Sequence, residues 1–111
     1  MFRPLLALSI AIFAAGPALA QITTANPFND QIRRLSPEKQ RATMRQAITN
    51  SGIRCGRVEQ AAFQQPFRNL MMWTATCNPG GHFAIFVGSD QSVQVRPCAD
   101  LKDLKLPECR R

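Results

Sequence analysis

The sequence predicts an α+β fold: an N-terminal helix packed on a four-stranded antiparallel meander, with a short C-terminal helix. Three observations carry that prediction. A capped stretch of helical periodicity spans Pro37 to Asn50, and the period then drops to two over four short runs between Ile53 and Arg96. The later runs are joined by turns short enough to make consecutive strands antiparallel neighbours.

Residues 1–20, MFRPLLALSIAIFAAGPALA, read as a signal peptide. Arg3 precedes an apolar run from Leu5 to Ala15, the breaker Gly16-Pro17 follows, and Ala18-Leu19-Ala20 supplies the small-x-small cleavage site. The run is well short of the roughly 20 apolar residues that span a bilayer. No Cys follows Ala20, so lipoprotein processing has no acceptor. Cleavage would leave 91 of the 111 residues, one domain in size, in the periplasm or outside the cell.

Gln21 to Leu35 is polar, contains Pro27 and shows no sustained period, so residues 21–35 are expected to form a flexible leader, with Asn26-Pro27-Phe28 a turn. The single disulfide-stabilised domain is expected over residues 36–111. Ser36-Pro37-Glu38 starts the helix: the hydroxyl caps free N–H groups, proline fits the first turn, and the carboxylate favours the positive end. Gly52 offers the left-handed residue that ends it. Met44, Ala47, Ile48 and Ser51 form its inward stripe.

The first strand is expected from Ile53 to Gln60 with a bulge at Gly56, and Ala61 to Asn69 as a loop. The second, Leu70 to Cys77, turns Met71, Trp73, Ala75 and Cys77 to one side and Met72, Thr74 and Thr76 to the other. The third, His82 to Val87, alternates Phe83, Ile85 and Val87 against Ala84 and Phe86. The fourth spans Ser92 to Arg96. Asp100 to Lys105 reads as one or two helical turns with Leu101 and Leu104 inward.

Four cysteines, Cys55, Cys77, Cys98 and Cys109, in a small exported chain favour two disulfides over a zinc site with His82, since no C-x-x-C pair is present. Four cysteines allow three pairings. Antiparallel neighbours would set the start of strand one beside the end of strand two, which favours Cys55 with Cys77 and Cys98 with Cys109.

The helix ending in Ser51-Gly52-Ile53, then Cys55, Trp73-Thr74-Ala75-Thr76-Cys77, His82-Phe83-Ala84-Ile85-Phe86 and Val93-Gln94-Val95-Arg96 before Cys98 form an ordered set. It resembles a group of small, uncharacterised exported proteins of proteobacteria in which a Trp-x-x-x-Cys strand precedes a hairpin ending in Cys. The resemblance covers about residues 37 to 98 and implies a fold but no activity. The order of elements is also similar, more loosely, to PepSY-type periplasmic modules, which implies binding or inhibition; cysteine bridges are not part of that pattern.

No catalytic, metal or cofactor constellation is recognisable. His82 follows a Gly-Gly turn without a partner in its motif, two bridges would leave no thiol, and Pro79-Gly80-Gly81 lacks the helix and lysine of a phosphate loop. Glu38, Asp90, Asp100 and Asp103 have ordinary capping and turn positions. The chain carries +7; losing Arg3 with the leader leaves 13 Lys and Arg against 7 Asp and Glu, and seven of the thirteen lie between Arg33 and Arg57.

These observations point to a non-enzymatic binding module without a cofactor. Its first candidate surface is Phe63, Phe67, Arg68 and Met72, which would present an apolar patch to a protein partner; the competing reading folds the two phenylalanines over the open sheet face. The alternative surface is the basic stripe Arg34, Arg41 and Arg45, extended by Arg33, Arg54 and Arg57, which would meet anionic envelope lipid or polysaccharide. A solvated face with Glu38 paired to Arg41 competes with it. Nucleic acid is disfavoured because no aromatics interleave the cations. A small secreted hydrolase is the least supported reading.

Overall fold

The computed structural model describes residues 25–110. The elements run α1 (Pro27–Arg34), α2 (Pro37–Asn50), β1 (Val58–Phe67), β2 (Leu70–Cys77), β3 (Gly81–Gly88) and β4 (Val93–Pro97), with a 3-10 turn at Cys98–Asp100. The four strands form one antiparallel sheet in the order β1-β2-β3-β4, which is the expected α+β meander. The signal-peptide residues 1–20 lie outside the described residues.

α2 follows its caps. Ser36 Oγ accepts from the Lys39 N–H at 3.3 Å, Pro37 opens the first turn, and Gly52 lies past the end at φ +82°. Met44 and Ile48 are buried and Ala47 is half-buried, whereas Ser51 stays exposed.

Residues 27–34 correct the expectation of a flexible leader. They form α1, started by the same device as α2: Asn26 Oδ1 accepts from the Asn29 N–H at 2.9 Å, and Pro27 takes the first helical position. Two buried asparagines then fix the helix to the sheet. Asn26 Nδ2 donates to the Val87 carbonyl at 3.1 Å, and the Trp73 indole N–H donates to Asn29 Oδ1 at 2.6 Å. Buried amides and a buried indole N–H need partners, and these groups serve one another.

β1 corrects a second expectation. Residues 53–57 are an irregular link, and the strand runs through the stretch expected to be a loop, closing on a two-residue turn with Arg68 at φ +57°. Its bulges lie at Glu59 and Gln64 rather than at Gly56: pairing steps from Val58↔Cys77 to Gln60↔Thr76, and from Phe63↔Trp73 to Gln65↔Met72. Two extra residues in ten scramble the alternation by which a strand is recognised. Pro66 is tolerated because β1 is an edge strand. Gly56 instead packs on the β2–β3 turn, where its N–H donates to the Pro79 carbonyl at 3.0 Å and a Cβ would overlap the proline ring. β2 has its expected bounds, and β3 and β4 differ by a residue at each end.

Trp73, Ala75, Phe83, Ile85, Val87 and Val95 line one sheet face, which α1 and α2 cover. On the other face Met72, Ala84 and Phe86 are covered by Phe67 and by a strap, residues 98–110, that returns across the sheet from β4 towards β1. The expected C-terminal helix is reduced to the 3-10 turn; Leu101 is buried as expected, but Leu104 is 50% exposed and does not point inward. The bridges are Cys55–Cys77, with Cα atoms 5.4 Å apart, and Cys98–Cys109, at 5.7 Å.

Candidate functional site

Phe63, Phe67, Arg68 and Met72 do not make one surface. Phe63 stacks edge-on to Trp73 on the helix-covered face, with centroids 5.8 Å apart. Phe67 lies on the opposite face against Phe86 at 6.1 Å, and Met72 has no exposed area. Arg68 remains at the hairpin turn, its guanidinium 5.0 Å from the Phe67 ring. Residues four apart share a face in a regular strand, but the extra residue at Gln64 inverts the parity between the two phenylalanines. The apolar patch expected of this segment is therefore spent on two separate cores.

The arginines are distributed over α1, α2 and the link into β1. Arg45 Nε donates to the Cys55 and Gly56 carbonyls at 3.2 and 2.9 Å, which sets α2 against the link into β1 beside Arg54 and Arg57. Arg33, at the end of α1, lies over the Phe63 ring at 4.5 Å. α1 and α2 are joined at their junction by Gln40, whose Nε2 donates to the Ile32 carbonyl at 3.1 Å. Arg41 sits one helical turn before Arg45 and is half-buried, whereas Arg34, the last residue of α1, is exposed. The pair expected between Glu38 and Arg41 does not form: among the described residues the ion pair within 4.0 Å is Arg57–Glu59, at 3.5 Å. Glu38 is exposed in the first turn of α2, whereas Arg41 is half-buried. Glu59 also accepts from Asn78 Nδ2 at 3.0 Å; that bond, assisted by Arg57, holds its carboxyl below the ordinary range.

A polar cleft of about 200 Å³, not anticipated from the sequence, opens where the strap leaves the second sheet face uncovered. Gln60, Ala62, Thr74, Thr76 and His82 line it, and Arg110 and the Cys98–Cys109 bridge wall it. Thr76 Oγ1 and His82 Nδ1 are 3.1 Å apart, in register across β2 and β3. A hydroxyl beside an imidazole supplies two members of an acyl-transfer set, but no carboxylate lies within 4.0 Å of that ring among the described residues. The signal was available: a hairpin turning at Asn78 to Gly80 sets the second residue before the turn opposite the second after it.

Gln64 fixes this wall. The bulge turns its side chain onto the strap, where Nε2 donates to the Glu108 carbonyl at 3.0 Å and Oε1 accepts from the Arg110 N–H at 2.9 Å; the Gln64 carbonyl accepts from Arg110 Nη2 at 2.9 Å.

On the helix-covered face a groove of about 500 Å³ opens between the helices and the β3–β4 edge, floored by Met44, Ile85 and Val87 and, among the described residues, lined by no charged side chain. All four cysteines are in bridges, and no group of three His, Cys, Asp or Glu able to hold a metal occurs among the described residues. No helix of the described residues is long and apolar enough to cross a membrane. No protein-family model, curated protein or solved structure matches this chain.

Proposed function

We propose that the domain is a non-enzymatic binding module of the cell envelope or extracellular space that holds anionic lipid or polysaccharide against the arginines of its helical side. The observation that carries this reading is the excess of arginine there: Arg33, Arg34, Arg41, Arg45, Arg54 and Arg57 come from α1, α2 and the link to β1, with one carboxylate within 4.0 Å of them among the described residues. A surface whose cations so outnumber the carboxylates that neutralise them attracts fixed negative charge. The Phe63 to Met72 segment offers a protein partner less, because its apolar side chains are packed inward. Two bridges support an oxidising compartment.

The test is co-sedimentation with phosphatidylglycerol vesicles and, separately, retention on an acidic polysaccharide, each as a function of salt. Binding should weaken steeply as ionic strength rises. Arg34→Gln with Arg41→Gln should reduce vesicle affinity by about 30-fold, from about 1 kcal/mol for each cation near an anionic surface. Arg45 is a poorer probe, since it also anchors the link at Cys55 and Gly56. Association indifferent to salt in both assays would end this reading.

A further inference from the structure

We propose that the cleft on the strap-covered face is a binding site for one small oxyanion, a phosphate or carboxylate group, recognised by Thr76, His82 and Arg110. It lies across the sheet from the arginine flank and does not depend on the reading given to that flank.

The chemistry of the lining is one-sided. Its polar side chains are two threonine hydroxyls, the Gln60 amide, an imidazole and a guanidinium, all able to donate, and among the described residues no carboxylate lines the cleft. A ligand rich in acceptors matches such a set, and charge-assisted bonds from the guanidinium would be its strongest. At about 30 Å³ per water, a volume of about 200 Å³ holds some seven waters, which is room for one oxyanion with a short tail.

The cation is also held in place beforehand. Arg110 is bonded through both its N–H and Nη2 to Gln64, and the neighbouring Cys109 is fixed by its bridge to Cys98. The bridge and the N–H bond thus fix the backbone at Arg110, and the Nη2 bond ties its guanidinium to β1 at the wall of the cleft, with no carboxylate within 4.0 Å of it among the described residues. An arginine ordered in advance loses little further freedom on binding. His82 is set in the same manner: when the Thr76 hydroxyl donates to Nδ1, the neutral ring carries its proton on Nε2 and presents a donor.

The experiment is a backbone-amide NMR titration of the purified protein with sodium phosphate in one arm and sodium acetate in the other, at constant pH and ionic strength. Saturable shifts at Thr74, Thr76, His82 and Arg110 are expected in at least one arm, and the arm that saturates identifies the oxyanion. Arg110→Gln and Thr76→Val should each weaken that binding about tenfold or more, the scale of one hydrogen bond to a charged group. Arg34→Gln with Arg41→Gln should leave it unchanged. Shifts that stay linear in both arms, that survive Arg110→Gln, or that vanish with the flank variant would overturn the proposal; the last would place the anion on the flank instead.

Discussion

The two faces of the sheet are closed by different means. Helices α1 and α2 close one with elements that satisfy their own backbone groups, carry their own caps, and bury Ile32, Met44 and Ile48. The other is closed by an irregular strap that contributes a single fully buried side chain, Leu101. A cover with so few apolar anchors cannot be held by burial alone, and here a covalent bridge and the Gln64 clamp do what packing does on the helical side. The same difference leaves the second face half open, which is where the polar cleft lies.

The largest effect should follow from attacking the helix-covered face at its centre. Trp73→Ala removes the biggest buried side chain and orphans Asn29 Oδ1, and should cost about 3–5 kcal/mol in denaturant unfolding. Leu101→Ala, the matching change under the strap, should cost less, about 2–3 kcal/mol. Equal costs would show that the strap packs as firmly as the helices do.

Next come the bridges. Cys98→Ala with Cys109→Ala should lose about 2–3 kcal/mol, on the chain-entropy account of a loop this short, and release hydrogen-exchange protection under the strap alone. Cys55→Ala with Cys77→Ala should cost more, because the loop is longer and both residues are buried in the helix-covered core. Exchange protection lost equally on both faces after breaking Cys98–Cys109 would deny that the strap is a separate unit.

A smaller change sharpens the same contrast. Gln64→Ala removes the side-chain ties to Glu108 and Arg110, which are exposed, so about 1 kcal/mol is expected. Its mark should be faster exchange at the Arg110 amide with the α1 and α2 amides unmoved.

The smallest effect is acid sensitivity. Bonds from Ser92 hold the Asp90 carboxyl below the ordinary range, as Asn78 does for Glu59. A depressed folded-state value gives stability that is present above the unfolded value and lost as pH falls through the folded one. Both groups are exposed, so thermal midpoints should decline only gently below about pH 4. A steep acid transition would point to a group other than these two.

β2, β3 and β4 were legible because one face is wholly apolar and the turns between them are short; alternation at Trp73, Ala75, Phe83 and Ile85 fixes the face. α1 is not legible in the sequence although Asn26-Pro27 is the same opening as Ser36-Pro37. Its eight residues carry just two buried side chains after the cap, Asn29 and Ile32, too little to read as a periodic stripe. β1 was hidden by its bulges, since reading Phe63 and Phe67 as one patch assumes an unbroken period of two. The Cys55–Cys77 bridge is legible from setting the start of strand one beside the end of strand two, although Cys55 lies in the link just before β1, and Cys98–Cys109 follows as the remaining pair. The excess of arginine between Arg33 and Arg57 is visible in the sequence, but the use of Arg45 as an anchor and the stacking of Arg33 on Phe63 arise only when α2 and α1 are laid on the sheet. Arg110 reaches the cleft through a clamp 46 residues away in sequence, a distance over which no local pattern speaks.

The pairing of Cys55 with Cys77 and of Cys98 with Cys109 joins each cysteine to the next one along the chain. A polypeptide threaded N-terminus first into an oxidising space offers its sulfurs in that order, so an oxidase acting on each pair as it emerges makes the native links at once. Thiol–disulfide exchange has no wrong partner to undo in such a sequence of events, and on the proposed route of export maturation should not require an isomerase.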